Sequence, residues 1–205
     1  MQINKNRIIL ASKSKIRKKL LEKTGLEFIA LDPEFDEVPI QERYIPSLTY
    51  TVEEVEKLAK KLAFQKTIEI SKQNADQIII GCDQILLCNG TIYNKPKTSN
   101  EALDQLLELS GKEHYLITST LCTKNKNLQW DYQSRQKMKM KKLSLTYINN
   151  YIKEMGEKIY SIVGCYEIEN VGINLFEKIG DDLFTIQGIS IIELLNFLRE
   201  DGYIK

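Results

Sequence analysis

Hydrophobic and polar positions alternate along this chain in short blocks. The least polar block is Gln77-Ile-Ile-Ile-Gly-Cys-Asp-Gln-Ile-Leu-Leu-Cys88. Its branched apolar residues predict a strand buried on both faces. Gly81 allows a close backbone approach. Asp83 puts a carboxylate in mid-run, which is costly unless a cation, metal or ligand meets it. Asn89-Gly90 is a strong hairpin signal, so Ile85–Cys88 should turn back into Thr91–Tyr93. That hairpin carries Asn94-Lys-Pro-Lys97 toward the end of the first strand, joining an acid and a lysine on one rigid element. A capping aspartate with a solvated lysine is the plain alternative; the apolar residues on both sides favour a site.

The same patterning predicts the other elements. Arg7–Ala11 reads as a strand running into a helix at Ser12–Leu21, capped by Ser12 or Ser14 and stopped by Gly25. Lysines and an arginine crowd the first turn, where acids are normally favoured, so either solvent masks the clash or an anion sits there. Glu27–Leu31 reads as a strand, Asp32–Glu37 as an acidic loop able to offer a metal-binding carboxylate, and Pro39–Tyr50 as a mobile loop. Thr51–Ile70 is an amphipathic helix with a Thr51/Glu54 capping box. Lys66 lies on its apolar stripe, either snorkelling outward or facing a cleft.

Thr98–Leu109 repeats the box with Glu101. Tyr115–Thr123 and Leu128–Tyr132 read as a hairpin, and Met138 and Met140 alternate with lysines as a half-exposed strand. Ser144 caps Leu145–Met155, Ile159–Ile179 reads as glycine-punctuated strand and turn, and a Ser190/Glu193 box opens Ile191–Arg199. The class is α/β with a mixed, strongly bent sheet flanked by helices.

Composition narrows the function. A chain of 205 residues, 42% hydrophobic, supports a full core as one domain or two small lobes sharing a cleft. A net charge of +1 argues against general nucleic-acid or membrane-surface binding. Cys82, Cys88, Cys122 and Cys165 form no C-x-x-C pair and there is one histidine, so structural zinc is not expected and a reduced, cytoplasmic setting is. No apolar run is long enough to span a bilayer.

Taken in order, Leu10-Ala-Ser-Lys-Ser-Lys-Ile-Arg17, Asp36-Glu37, Leu62-Ala-Phe-Gln-Lys66, Gly81-Cys-Asp-Gln84 and Asn94-Lys-Pro-Lys97 resemble the Maf family of nucleoside triphosphate pyrophosphatases. So do Leu109-Ser-Gly111 with His114, Gly164-Cys-Tyr166 with Glu169 and Gly172, and Gly180-Asp181 leading to Gly188. The resemblance runs from about Ile8 to Gly202, and its specificity lies in the order and spacing of motifs that are individually weak. It implies a single domain over 1–205, a Maf/inosine triphosphate pyrophosphatase-like fold with two lobes around a deep nucleotide-binding cleft, and often a homodimer. It also implies a house-cleaning activity that cleaves a nucleoside triphosphate to monophosphate and pyrophosphate with Mg²⁺ or Mn²⁺.

Carried over by position, Asp83 is the catalytic acid, Glu37 and Asp83 hold the metal, and Ser12, Arg17, Lys66 and Lys95 bind phosphate. Ile16, Gln84 and Glu169 fall where the family varies with substrate. Gln84 with Glu169 resembles the 7-methyl-GTP-cleaving branch, since a carboxylate accepts both N1–H and N2–H₂ of guanine. The dTTP/UTP branch of the same family is the nearer alternative. A non-catalytic nucleotide or nucleic-acid binder linked to cell division is the alternative of another class. Cys82 is expected to be a packing residue, and His114 a hydrogen-bonded structural residue rather than a general base. Lys15 stands where the family usually has proline, Lys141 where it has arginine, and Asn170 where it has glycine beside Glu169.

Overall fold

The structure is a computed structural model and describes residues 8–35, 40 and 49–205. Seven strands form one mixed sheet: β1 (Ile8–Ala11), β2 (Phe28–Leu31), β3 (Ile78–Cys88), β4 (Thr91–Tyr93), β5 (Glu113–Lys124), β6 (Asn127–Met140) and β7 (Phe176–Lys178). Its order is β2-β1-β3-β5-β6-β7, with β4 also on β3. β1 runs parallel to both β2 and β3; the remaining pairings are antiparallel. The fully described helices are α1 (Lys15–Glu22), α2 (Val52–Ser71), α3 (Ser99–Leu109), α4 (Leu145–Met155), α5 (Leu183–Ile186) and α6 (Ile191–Glu200).

β3 is the axis of this arrangement. On one edge it pairs with β5 from Ile79 to Leu87. On the other edge it pairs with β1 as far as Gly81, and with β4 only from Leu86. Among the described residues no strand pairs with that edge between Cys82 and Ile85. The β4 hairpin turns through Asn89 and Gly90, both at positive φ (49° and 79°), as expected of an Asn-Gly turn.

Side chains alternate across a strand, and the two faces of β3 are covered differently. Ile79, Ile85 and Leu87 face α2, packing with Ile70, Val55, Leu58 and Leu62. On the opposite face Ile78, Ile80 and Cys82 join a core with Leu20 and Leu21 of α1 and Leu194 and Leu198 of α6. Further along that face, Leu86 and Cys88 join a second core with α3 and α4 through Leu106, Leu109, Ile148 and Ile152. Asp83 falls on the α2 face. Gln84 falls on the other, between the two cores.

Several expectations are corrected. The pieces read as Leu128–Tyr132 and Met138/Met140 are one 14-residue strand, and both methionines are fully buried against α3 and α4. The turn before it falls where the hairpin was expected, at Asn125-Lys126, both residues at positive φ (51° and 63°). In the stretch Ile159–Ile179 only Phe176–Lys178 (β7) is strand; it follows three 3₁₀ segments, Gly156–Ser161, Val163–Cys165 and Val171–Leu175.

The Ser190 box does not form, because the Ser190 backbone N–H donates to Thr120 Oγ1 (3.0 Å) and its hydroxyl turns to the same threonine. At α3 the Thr98 cap is present, but Glu101 accepts from the Lys97 N–H (2.7 Å) instead of closing the box. The Thr51/Glu54 box is complete, Ser14 rather than Ser12 caps α1, and Ser144 caps α4.

Gly81 is where α2 lies closest to the sheet. A Cβ there would overlap the Ala63 carbonyl oxygen and come within 2.5 Å of Thr67 Cγ2. Thr67 is buried and the carbonyl belongs to the helix backbone, so neither gives way easily. Gly81→Ala is therefore predicted to destabilise the protein by about 1–3 kcal/mol, the usual cost of overpacking. Urea unfolding checks this, with a lower midpoint at unchanged slope expected.

Candidate active site

From β1 the chain passes through α1 to β2 on one side, then returns through α2 to β3 on the other side of β1. In sheets of this kind ligands bind beyond the carboxyl ends of the strands, at such a switch point. A cleft of about 1040 Å³ opens there, and its lining includes Ser12–Arg17, Lys66, Asp83, Gln84, Asn94, Lys95, Lys158, Tyr166, Glu167 and Glu169. Because no described strand pairs with this edge of β3 from Cys82 to Ile85, Asp83 and Gln84 reach the same cleft although they lie on opposite faces of the sheet.

Asp83 is buried and forms an ion pair with Lys66 Nζ, both side chains being about nine-tenths shielded from solvent. α2 supplies Lys66 from one turn beyond Leu62, which packs on the same face of β3. The lysine on the apolar stripe thus turns inward. Removing either partner would leave the other charge with its main counter-ion gone, an expensive state at this depth.

Arg17 projects from the first turn of α1. Its Nε donates to the Gly188 carbonyl (2.7 Å) and its Nη1 to the Cys82 carbonyl (2.8 Å), just past the point where β1 ends. The guanidinium thereby bridges α1, β3 and the turn between α5 and α6. Gly188 sits at φ +98°, and a Cβ there would lie 3.0 Å from Arg17 Nε, so a glycine serves both the turn and the approach. Arg17 is held by the protein as well as facing the cleft, a dual position that the sequence did not reveal.

The other expected residues are distributed as follows. Ser12 is buried and its hydroxyl accepts from the Ser14 N–H (3.2 Å) at the cleft floor. Ile16 is half-buried on the lining, and Lys95 lines the cleft as an exposed residue just after β4. Glu169 is also exposed on the lining, with Glu167 half-buried nearby. Glu37 and Asp36 lie outside the described residues, as does nearly all of the 39–50 insert. Lys13, Lys15 and Lys158 add cations to the rim that were not singled out as site residues.

Gln84 Nε2 lies 2.9 Å from Thr118 Oγ1, 2.9 Å from the Thr185 carbonyl and 3.0 Å from the Ile186 carbonyl. α5, which provides those carbonyls, is four residues long and capped by Asp182, whose Oδ1 accepts from the Phe184 and Thr185 N–H groups. A helix this short has no apolar period to read, and the sequence offered no sign of it beyond the Asp182 cap.

For a metal, the described donors fit in part. Mg²⁺ is typically held by one or two carboxylates together with substrate phosphate oxygens, and Asp83 supplies one hard oxygen donor beside the cations. Among the described residues no group of three metal-ligating side chains is assembled.

Cys82 is fully buried, and burial pushes its thiol above the ordinary value despite Arg17 and Lys66 nearby. It acts as packing. His114 is buried with Nε2 2.8 Å from the Tyr166 hydroxyl, and its Nδ1 has no partner among the described residues. Tyr166 lines the cleft and packs edge-on against Phe176, so His114 braces the cleft wall from behind.

The chain belongs to the Maf family: the family model described as Maf-like protein matches residues 7–201. It is 36% identical over 198 residues to the 7-methyl-GTP pyrophosphatase of Brucella abortus, covering 97% of this chain and 98% of that one. It is 37% identical over 197 residues to the 7-methyl-GTP pyrophosphatase of Bartonella quintana, covering 96% of each. With the nucleoside triphosphate pyrophosphatase of Granulibacter bethesdensis the identity is 32% over 194 residues, covering 95% of this chain and 96% of the relative.

Burial lowers the His114 pKa from 6.5 to about 4. Between those values the unfolded chain takes up a proton that the folded chain refuses, so stability falls as pH drops from about 6.5 toward 4. The loss expected from this group is on the order of 3 kcal/mol. Urea titrations at pH 7 and pH 4.5 check it: the His114→Gln variant should show a smaller difference between the two than the wild type, and an identical difference would refute the assignment.

Proposed function

We propose that this protein is a nucleoside triphosphate pyrophosphatase, hydrolysing its substrate to the monophosphate and pyrophosphate, with 7-methyl-GTP as the favoured nucleotide. The observation that carries this reading is the Asp83–Lys66 pair at the unpaired interval of β3, with Arg17 beside it in one cleft. The names of its relatives support it, two of those cited above being 7-methyl-GTP pyrophosphatases.

On this reading the triphosphate lies along Ser12–Arg17, Lys66 and Lys95, where the cations and the N–H groups opening α1 counter its charge. Phosphoryl transfer asks a protein chiefly for positioning and charge stabilisation, and the residues are of that kind. Asp83, acceptor-only as a carboxylate, orients a water and takes its proton as the oxygen bonds to the α-phosphorus. The bond from that phosphorus to the bridging oxygen breaks, and pyrophosphate leaves with the electron pair. Lys66 steadies Asp83 and faces the developing negative charge. A bound Mg²⁺ or Mn²⁺, held by Asp83 and, on the resemblance, Glu37, would neutralise charge on the phosphate oxygens. A homodimer, on the family resemblance, and cytoplasmic residence, on the cysteine pattern, complete the proposal. No helix among the described residues is long and apolar enough to cross a membrane.

Asp83→Asn keeps the shape but removes the proton acceptor. It is predicted to lower kcat by about two orders of magnitude or more. Pyrophosphate release from 7-methyl-GTP, GTP, dTTP, UTP and CTP, with and without Mn²⁺, is the measurement. Unchanged hydrolysis by Asp83→Asn would refute the catalytic assignment, and a clear dTTP preference would refute the favoured substrate.

A further inference from the structure

The bonds made by Gln84 determine what it can offer a ligand. Two of its three partners on Nε2 are main-chain carbonyls, which only accept, so the NH₂ end of the amide must face α5. The third, Thr118 Oγ1, donates its own proton to the Thr185 carbonyl (2.9 Å) and is left to accept from Gln84.

Behind these partners lies a chain of hydroxyls and amides. Ser134 Oγ donates to Thr185 Oγ1 (3.0 Å), and Thr185 Oγ1 donates to the Asp182 carbonyl (3.1 Å). Gln136 Nε2 donates to Ser134 Oγ (2.8 Å), and Gln136 Oε1 accepts from the Asp182 N–H (3.3 Å). Thr118 and Thr185 are fully buried and Ser134 nearly so. A buried polar network with its members mutually bonded is stiff, and reversing the Gln84 amide would set its carbonyl oxygen against two others. The polar atom left to the cleft is Gln84 Oε1.

We infer that Thr118 and Thr185 are positioning residues that hold Gln84 as a hydrogen-bond acceptor for the nucleobase, so that the cleft takes bases bearing a ring N–H. Guanine, 7-methylguanine, hypoxanthine, xanthine, uracil and thymine qualify. Adenine and cytosine present a ring-nitrogen lone pair at that place and can offer only the exocyclic amine. Glu167 and Glu169, on the same lining, are acceptors too and reinforce the choice. This inference rests on the pyrophosphatase reading and refines it.

The test compares ITP with ATP and UTP with CTP, pairs that differ at the ring nitrogen and its neighbouring group. Wild-type protein should favour the ring N–H member of each pair by about tenfold or more in kcat/KM, since a site built to receive a donor leaves its acceptor unmet by the wrong base. Thr118→Val should raise KM for ITP about fivefold, with less effect on kcat, and shrink the preference; Thr118→Ser should restore it.

Equal kcat/KM within both pairs would overturn the inference while leaving the pyrophosphatase reading intact. So would a Thr118→Val variant with unchanged KM and preference. Absence of hydrolysis with every nucleotide would instead defeat the activity reading. A second measurement needs no turnover: the ¹⁵N side-chain amide signal of Gln84, assigned by its loss in Gln84→Leu, should exchange slowly with water in the free wild-type protein. Fast exchange in that protein would overturn the inference even if Thr118→Val failed to fold.

Discussion

The interval on one edge of β3 with which no described strand pairs is the constraint on which the rest of the site depends. β1 leaves that edge at Gly81 and β4 joins it at Leu86. Were β1 a few residues longer, the edge would be sealed and Asp83 and Gln84 would be separated by a continuous sheet. With the edge open, two consecutive residues of opposite orientation serve one cleft. As proposed, Asp83 and Lys66 act from the α2 face and Gln84 reads the base from the other. Arg17 reaches the open edge, where its guanidinium bonds the Cys82 carbonyl and ties it to Gly188.

Placing an acid in a buried strand carries a cost that the surrounding packing must offset. Gly81 lets α2 lie close enough for Lys66 to meet Asp83, while Leu58 and Leu62 on one side and Ile70 on the other anchor the helix to the sheet. At its exposed end α2 is braced again from β6, where Arg135 pairs with Glu56 and Lys60 pairs with Asp131. Those surface pairs add little stability individually. Their geometric effect is to hold the helix on the strand. The lysine is therefore positioned by the same contacts that form the core, and site and fold share one set of determinants.

Much of this was legible from the residues. The apolar run with Asp83 in it, the Asn89-Gly90 turn and the caps at Ser14, Thr51, Thr98 and Ser144 are local signals, and local chemistry decides them. What escaped was non-local or too short to have a period. α5 spans four residues, yet it orients Gln84 from 101 positions away in the chain. Gln133–Lys137 carries no apolar residue to mark a buried face, so one long strand was read as two pieces. Ser190 looked like a cap, but the tertiary pull of Thr120 on β5 redirected its hydroxyl. The 3₁₀ segments between Gly156 and Leu175 are spaced by glycines that resemble strand punctuation. Of the site residues, Asp83, Lys66, Arg17, Ser12, Lys95, Ile16, Gln84 and Glu169 meet at one cleft, whereas Glu37 falls outside the described residues.

The most direct test is a crystal structure with Mn²⁺ and the α,β-methylene analogue of 7-methyl-GTP, whose altered bridge resists cleavage. The α-phosphate should lie against Asp83 and Lys66, with the base across the open strand edge and its ring N–H on Gln84 Oε1. A nucleotide bound wholly on one face of the sheet, or with its base directed toward Lys95 and its phosphates away from Asp83, would contradict the division of labour across β3.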